Sequence, residues 1–187
     1  MNRTTTRNMF SVLFATLMLV KNFAQAQQQQ VQRAVGDRVM MAGSFCPLGS
    51  WPAEGQWYDY DVNDNAELFQ KFYDPSEHRR NGFYLPDLRG GPLTQCIVFS
   101  RDFEGQRYLG EVYESEGTCP LGSVATDGKS LSIGEALNLY GLIGASYGGD
   151  GVSNFKLPSL NNLDPFYCIS INGLYPKKNS QSRPISS

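Results

Sequence analysis

Histidine is almost absent from this sequence, and cysteine is scarce. The 187 residues include one histidine, His78, and four cysteines, none of them in a C-x-x-C pair. A zinc site needs about four cysteine or histidine ligands, so this chain lacks the partners for one. A catalytic serine or cysteine needs a histidine as its base, and His78 lies in a charged stretch, residues 77–80, that is typical of a solvated loop. The sequence therefore predicts no metal, no cofactor and no catalytic residue.

Long apolar runs are also lacking, with one exception near the N-terminus. Residues 9–20 form a twelve-residue, mostly apolar run that follows a basic start and precedes an A-x-A pattern ending at Ala26. A signal peptide has this pattern, and the run is shorter than the roughly 20 apolar residues that cross a bilayer. We expect residues 1–26 to be removed; the alternative is an uncleaved membrane anchor. Cleavage predicts a secreted, cell-surface or periplasmic protein with a flexible, glutamine-rich leader at residues 27–35.

No basic stripe interleaved with aromatic residues runs through the sequence. The whole chain has a net charge of −2. Removing residues 1–26 takes away three positive charges and no negative ones, which leaves 13 basic residues, 18 acidic residues and a net charge of −5. Such a surface repels nucleic-acid phosphates, so nucleic acid is not an expected partner. The end of the chain, residues 180–187, is expected to be a disordered tail.

What the sequence does contain is an internal repeat. The block CPLGS at residues 46–50 recurs at residues 119–123, and further blocks recur in the same order at nearly the same offset. Chance does not readily produce such an ordered set, which predicts two tandem modules, residues 36–105 and 106–179. The further blocks are 36–37 with 110–111, 53–56 with 126–129, 68–72 with 139–143, 83–88 with 155–160, and 96–97 with 168–169.

The repeat also suggests how the four cysteines pair. Spacing alone allows three pairings, but equivalent cysteines should have equivalent partners. This predicts that Cys46 pairs with Cys96 and Cys119 with Cys168. Each bond would close a loop of about 50 residues and stabilise a module that is too small for a large core, by about 4 kcal/mol in the chain-entropy model. Four free thiols and crossed pairing between the modules are the alternatives.

Each module is predicted to be α+β, with one short helix, short strands and much irregular loop. The chain after each CPLGS block is rich in Gly, Asp and Pro and is predicted to form turns. Strands are expected to open and close each module, at residues 39–42, 95–99, 109–113 and 167–171.

Capping boxes predict where the two helices begin. In the second module, Ser132 and Glu135 form such a box, and Gly144 is a natural stop. In the first module, Asp64 and Glu67 form the same kind of box ahead of an apolar face.

From Gly110 to about Asn179 the residues resemble the phage tail collar domain. The blocks that carry the resemblance lie at residues 110–112, 119–122, 127–133, 139–144, 147–151, 155–160 and 167–176. The first module is a divergent version, because its residues 73–80 replace the YGGDG block of residues 147–151.

The resemblance implies a non-enzymatic role in tail fibres and related surface structures, often as trimers. Two departures limit what is carried over. A phage fibre needs no signal peptide, and this chain has no long repetitive shaft. Some members of the family hold a metal with histidines between subunits, but His78 is the only histidine here, so no such site is carried over.

Aromatic residues cluster in the first module, where the second module has smaller or polar residues. The cluster consists of Trp51, Trp57, Tyr58 and Tyr60. If exposed, these rings could stack on sugars or anchor a protein partner; if buried, they are core packing. The sequence leaves both interpretations open.

Two other segments allow a ligand-binding interpretation. The acidic run at residues 59–65 suggests a calcium loop, but an EF-hand needs Gly and Glu where this chain has Asp64 and Gln70, so helix capping is the alternative. The YGGDG block at residues 147–151 is predicted to be a tight glycine turn, because no Lys-Ser/Thr follows it as in a phosphate-binding loop.

These observations predict an exported, non-enzymatic, collar-like surface protein that is structural or adhesive and binds a protein partner or a glycan. One alternative is a secreted hydrolase that uses carboxylates, which would have a cleft lined by Asp or Glu with raised pKa values. The others are a component of a phage tail fibre and a purely structural subunit that forms oligomers through exposed apolar faces.

Overall fold

The computed structural model describes residues 31–61, 65–76, 81–100, 106–160 and 165–178. Within these ranges the chain forms ten short strands and two short helices. The predicted signal peptide and His78 lie outside the described residues. The strands are β1 Arg38–Met41, β2 Ser50–Pro52, β3 Trp57–Asp59, β4 Gly82–Tyr84, β5 Thr94–Val98, β6 Glu111–Ser115, β7 Ser123–Ala125, β8 Ser130–Ser132, β9 Asn154–Lys156 and β10 Phe166–Ser170, and the helices are α1 Ala66–Phe72 and α2 Leu137–Ile143.

Six of the strands form one antiparallel sheet, in the order β2-β5-β1-β6-β10-β7. The other four form two-stranded ladders, β3 with β4 and β8 with β9. The described chain is therefore mostly sheet with two helices, which agrees with the predicted α+β class. None of the described helices is long and apolar enough to cross a membrane.

The described chain falls into two parts with the same order of elements. We call residues 31–100 the N-terminal half and residues 106–178 the C-terminal half. Each half contributes three strands to the sheet, one two-stranded ladder and one helix. Strand registers also correspond, since Trp51 lies opposite Ile97 in the N-terminal half as Val124 lies opposite Ile169 in the C-terminal half. The tandem modules stay a prediction, because one continuous sheet runs through both halves.

The CPLGS block forms the same turn in both halves. The N–H of Ser50 donates to the carbonyl oxygen of Pro47 at 3.0 Å, and Gly49 has a φ of +89°. Residues 120–123 repeat this turn, again with a 3.0 Å bond and with a φ of +83° at Gly122. Glycine adopts positive φ at little cost, which explains its place in the block, and the serine then begins a strand.

Both predicted disulfides are present. Cys46 is bonded to Cys96 and Cys119 to Cys168, each pair with its Cα atoms 5.7 Å apart. Each bond joins the chain after the opening strand of its half to the closing strand, β5 or β10. Each therefore lies within one half of the chain.

Each half has a hydrophobic cluster around its helix and its ladder, at equivalent positions, and the C-terminal cluster also includes Ala42 and Leu93 of the N-terminal half. Leu68 on α1 and Phe83 on β4 are 0% and 1% exposed, as are Leu139 on α2 at 1% and Phe155 on β9 at 0%. A third cluster surrounds the Cys46–Cys96 bond and includes Val39, Met41, Val98 and Tyr108. The main difference between the cores is that the N-terminal half fills its core with more aromatic rings.

The predicted strands at residues 39–42, 95–99, 109–113 and 167–171 are confirmed as β1, β5, β6 and β10, with bounds shifted by one or two residues. The prediction of turns alone after each CPLGS block is wrong. Residues 50–52 and 123–125 form β2 and β7 at the two edges of the sheet. Three-residue strands are too short to show an alternating pattern, and their pairing with β5 and β10 defines them.

The predicted helix starts need correction. Ser132 is the last residue of β8, paired with Asn154, and α2 begins later, after Ala136. Gly144 does end α2, since its N–H donates to the carbonyl oxygen of Tyr140 at 2.7 Å. In the first capping box Asp64 lies outside the described residues, and α1 begins after Asn65, whose side chain does not cap it.

Candidate functional site

The aromatic cluster predicted from the sequence divides into a buried part and a surface part. Trp51, on β2, is 6% exposed, so it has almost no surface with which to contact a ligand. Its ring is stacked between Tyr58 and Phe99, with centroid distances of 4.2 and 4.4 Å. Burial raises the pKa of the Tyr58 hydroxyl. Trp51 and one face of Tyr58 are therefore core packing.

Trp57 lies at the surface of the β3–β4 ladder. Its ring meets Tyr84 edge-on with centroids 4.8 Å apart, and its indole N–H donates to Asp59 Oδ1 at 3.1 Å. A small cavity of about 80 Å³ opens beside it. The cavity is lined by Trp57, Phe72, Asp74, Gly82, Phe83 and Tyr84.

A second line of rings continues along α1. Tyr60 and Tyr73 flank Phe69, each with a centroid distance of 4.6 Å. Tyr73 is 46% exposed, and Tyr60 is partly exposed. We call Trp57, Tyr84, Tyr60 and Tyr73 the aromatic surface. Whether any of these rings contacts a ligand stays a prediction.

Two of these residues escaped the sequence analysis. Tyr84 lies in the repeat block at residues 83–88, and Tyr73 in the segment at residues 73–80 that replaces the YGGDG block; neither was among the predicted contact residues. The difference between the two modules could have pointed to this surface from the sequence. In the register of the two ladders, Tyr84 corresponds to Lys156 and Trp57 to Ser130.

The acidic run at residues 59–65 is organised by an amide side chain. The backbone N–H of Asp61 donates to Asn65 Oδ1 at 2.9 Å, and Asn65 Nδ2 donates to the carbonyl oxygen of Asp59 at 2.8 Å. The described residues contain no group of three or more Asp, Glu, His or Cys side chains placed to hold a metal ion. Residues 62–64 are outside the described ranges, so the calcium interpretation stays a prediction.

The described carboxyl groups with a displaced pKa are all displaced downward. Hydrogen bonds from Ser76 lower the pKa of Asp74, and hydrogen bonds from Arg89 lower that of Asp87 to about 2. The pKa of Asp150 also falls, because Ser153 Oγ and then the backbone N–H groups of the glycine-turn segment donate to its carboxylate. A general acid needs the opposite displacement, so these three groups are suited to holding turns.

The YGGDG block forms the glycine turn that was predicted. Gly148, Gly149 and Gly151 have φ of +106°, +98° and +67°. Asp150 closes the turn by accepting N–H groups from three following residues. At Gly149 a Cβ would lie 2.6 Å from the Cα of Phe155, so no side chain fits at this position.

Comparison with known proteins gives one result. Residues 110–165 match the family model described as Phage Tail Collar Domain, which confirms the predicted resemblance for most of the C-terminal half. No curated protein and no solved structure shows significant similarity to the chain. The collar match indicates a structural protein of the tail-fibre type.

Proposed function

We propose that this chain is an exported, non-enzymatic surface protein made of two collar-like modules, which binds a glycan or a protein partner through the aromatic surface of its N-terminal half. The observation that carries the proposal is the position of Trp57. Its partly exposed ring lies beside a small cavity, against Tyr84 and within hydrogen-bond distance of Asp59.

The chemistry of this surface favours a glycan. Sugar rings present C–H groups that pack on aromatic faces and hydroxyl groups that donate to carboxylates. Trp57 and Tyr84 supply the rings, and Asp59 and Asp74 supply exposed carboxylates. The equivalent ladder in the C-terminal half has Ser130 and Lys156 in place of the two rings.

Export is supported by two features of the chain. Disulfides form and persist in oxidising compartments, and both pairs of cysteines are bonded. The N-terminal sequence has the pattern of a cleaved signal peptide. The interpretation as two modules is supported by three features that recur in both halves: the CPLGS turn, the two-stranded ladder and the disulfide.

The test is binding of the purified mature protein to an array of defined oligosaccharides, with Trp57→Ala as the first variant. We expect Trp57→Ala to weaken binding by at least roughly 30-fold, because a central aromatic anchor contributes on the order of 2 kcal/mol. Gly82→Ala is the second variant and should also weaken binding, since a Cβ at Gly82 would overlap the Trp57 ring and the carbonyl oxygen of Tyr58. Its free energy of unfolding is measured as well, because the backbone overlap strains the β3–β4 ladder. Ser130→Ala, at the position equivalent to Trp57, is the matched control and should bind normally.

Equal binding by wild type and Trp57→Ala would show that the binding site does not include the aromatic surface around Trp57. Absence of binding to every oligosaccharide would reject the glycan and leave a protein partner. The hydrolase alternative predicts release of reducing sugar from the same oligosaccharides, which a reducing-sugar assay in solution detects.

A component of a phage tail fibre is the second candidate. The match of residues 110–165 to the collar family favours it. It predicts that the protein copurifies with phage particles as an oligomer, such as the trimer that the family resemblance suggests, and starts at residue 1. The exported surface protein predicts a start at Gln27 in the extracytoplasmic fraction.

A further inference from the structure

The six-stranded sheet is symmetric in its order of strands. β1, β2 and β5 of the N-terminal half are equivalent to β6, β7 and β10 of the C-terminal half. Exchanging each strand for its equivalent therefore turns the order β2-β5-β1-β6-β10-β7 into its reverse. At the centre, β1 pairs antiparallel with β6, with Met40 opposite Val112 and Met41 opposite Glu111. Two equivalent strands that pair antiparallel are related by an approximate local twofold axis, and here the paired positions lie on one side of that axis.

The turns that precede these two strands have the same structure. Each has an arginine, a glycine of positive φ and an acidic residue, at residues 33–37 and 107–111. The N–H of Ala34 donates to Asp37 Oδ2 at 2.6 Å, and the N–H of Tyr108 donates to Glu111 Oε2 at 2.9 Å. The two turns therefore lie at equivalent places beside the β1–β6 contact.

The two equivalent arginines converge on one carboxylate. Arg33 crosses from the N-terminal half and lies 2.5 Å from both carboxylate oxygens of Glu111, and Arg107 Nη1 lies 3.0 Å from Glu111 Oε1. The side chains of Arg33 and Glu111 are 5% and 4% exposed. Removing Arg33 would leave this buried carboxylate with one fewer charged partner, and the cost of that loss would fall on the association of the halves.

The contact between the halves has a polar part and an apolar part. The polar part borders a cavity of about 320 Å³, lined among others by Arg33, Asp37, Arg107 and Glu111. In the apolar part, Ala42 and Leu93 of the N-terminal half belong to one buried cluster with residues of the C-terminal half, among them Val112. The third cluster adds apolar contact, because Leu174 of the C-terminal half packs against it.

Covalent bonds do not join the halves except through the chain itself. Each disulfide lies within one half. A single cut between β5 and β6 would leave two polypeptides, each with its own three sheet strands, helix and disulfide.

We infer that the β1–β6 face is an interaction surface at which the two halves associate as the subunits of a twofold dimer do, each half being the partner that the other's face fits. The peptide chain between Ser100 and Gln106 joins the two halves covalently. This inference rests on the two-module part of the proposed function and is independent of its ligand.

The experiment uses the full mature chain, with residues 101–105 replaced by the recognition sequence of a site-specific protease. After cleavage, non-reducing electrophoresis in denaturant should show two fragments. Native mass spectrometry and size-exclusion chromatography of the same sample at micromolar concentration should show one particle that contains both. Separation of the fragments, or loss of cooperative unfolding on cleavage, would overturn the inference.

Variants then test whether the arginines and the carboxylate hold the contact. We expect Arg33→Gln and Glu111→Gln each to raise the dissociation constant of the cleaved protein by at least roughly 30-fold. The matched control is Asp37→Asn, the position equivalent to Glu111, for which the described residues give no arginine partner. It should change the dissociation constant by less than about threefold.

Equal effects of Glu111→Gln and Asp37→Asn would contradict the role given to the converging arginines. Arg33→Gln keeps the test valid if Glu111→Gln fails to fold, because it leaves the Glu111–Arg107 pair intact. If the intact protein bound no glycan while the cleaved halves stayed associated, only the proposed ligand would be rejected.

Discussion

The two halves have one backbone plan and different cores. Trp51 and Tyr58 of the N-terminal half take the places that Val124 and Leu131 hold in the C-terminal half, in matching registers. The family model nevertheless matches only residues 110–165. The difference teaches that the turns and strand ends determine this plan, while core side chains can be exchanged if the volume is filled. A family defined by sequence then covers one half and misses its structural equivalent.

The halves also differ after the helix. In the C-terminal half Gly144 leads into the glycine turn that Asp150 closes. In the N-terminal half Tyr73 and Asp74 follow α1; Tyr73 stacks on Phe69, and Asp74 lines the cavity beside Trp57. The segment after α1, in which the halves differ, therefore supplies one exposed ring, Tyr73, and one carboxylate, Asp74.

The disulfides provide the largest expected effect and the simplest comparison of the halves. Replacing Cys46 and Cys96 by alanine should lower the free energy of unfolding by about 4 kcal/mol, and replacing Cys119 and Cys168 should lower it equally. The closed loops are the same length, with sequence separations of 50 and 49. Urea unfolding followed by circular dichroism measures both. If the two losses in the free energy of unfolding differed twofold, the two disulfides would not restrict the unfolded chain equally.

Trp51→Val gives the N-terminal half the residue type of the equivalent position, Val124, but leaves the neighbouring side chains of the N-terminal half unchanged. Because the ring is buried between Tyr58 and Phe99, we expect a loss of about 3 kcal/mol in the free energy of unfolding. The control is Val124→Ala, which is partly exposed and should cost about 1 kcal/mol or less. If Trp51→Val left the free energy of unfolding unchanged, the aromatic core would not be required for this backbone arrangement.

Tyr147→Phe has the smallest expected effect and tests a contact between the halves. The Tyr147 hydroxyl lies 2.8 Å from the carbonyl oxygens of Ala42 and Pro92 and can donate to either. Losing this bond should lower the free energy of unfolding by about 1 kcal/mol at neutral pH. Tyr175→Phe, at a side chain that is 57% exposed, is the control.

The same variant has a pH signature. Burial raises the pKa of Tyr147 to about 12. The unfolded chain ionises near pH 10, so the stability that Tyr147 contributes is present below pH 10 and is lost as pH rises from about 10 to about 12. The stability difference between wild type and Tyr147→Phe should narrow over that range. A constant difference would contradict the burial of the hydroxyl.

The sequence predicted the parts of the fold whose signal is local or repeated. β1, β5, β6 and β10 have four or five residues each and an apolar side, and the repeat indicated the cysteine pairs. Ser132 shows the limit: its capping box fits a helix, but pairing with Asn154 holds it in a strand. Tertiary pairing overrides such a local preference.

The candidate site was less predictable. Trp57 was identified by type, but only the β3–β4 register brings it to Tyr84, and only packing places Trp51 in the core. Arg33 was assigned to the flexible leader at residues 27–35, whereas its side chain is buried against Glu111. An arginine four residues before an acidic one is common, and its importance depends on a contact with Glu111 across the sheet.

The order of the cysteines along the chain has a consequence for how the molecule is made. First pairs with second and third with fourth. If the chain is exported as proposed and enters an oxidising compartment N-terminus first, Cys46 and Cys96 arrive before the later two cysteines, together with β1, β2 and β5. Oxidation in the order of arrival thus gives the native connectivity directly. Such a protein needs an oxidant for its biogenesis, and little help from an isomerase.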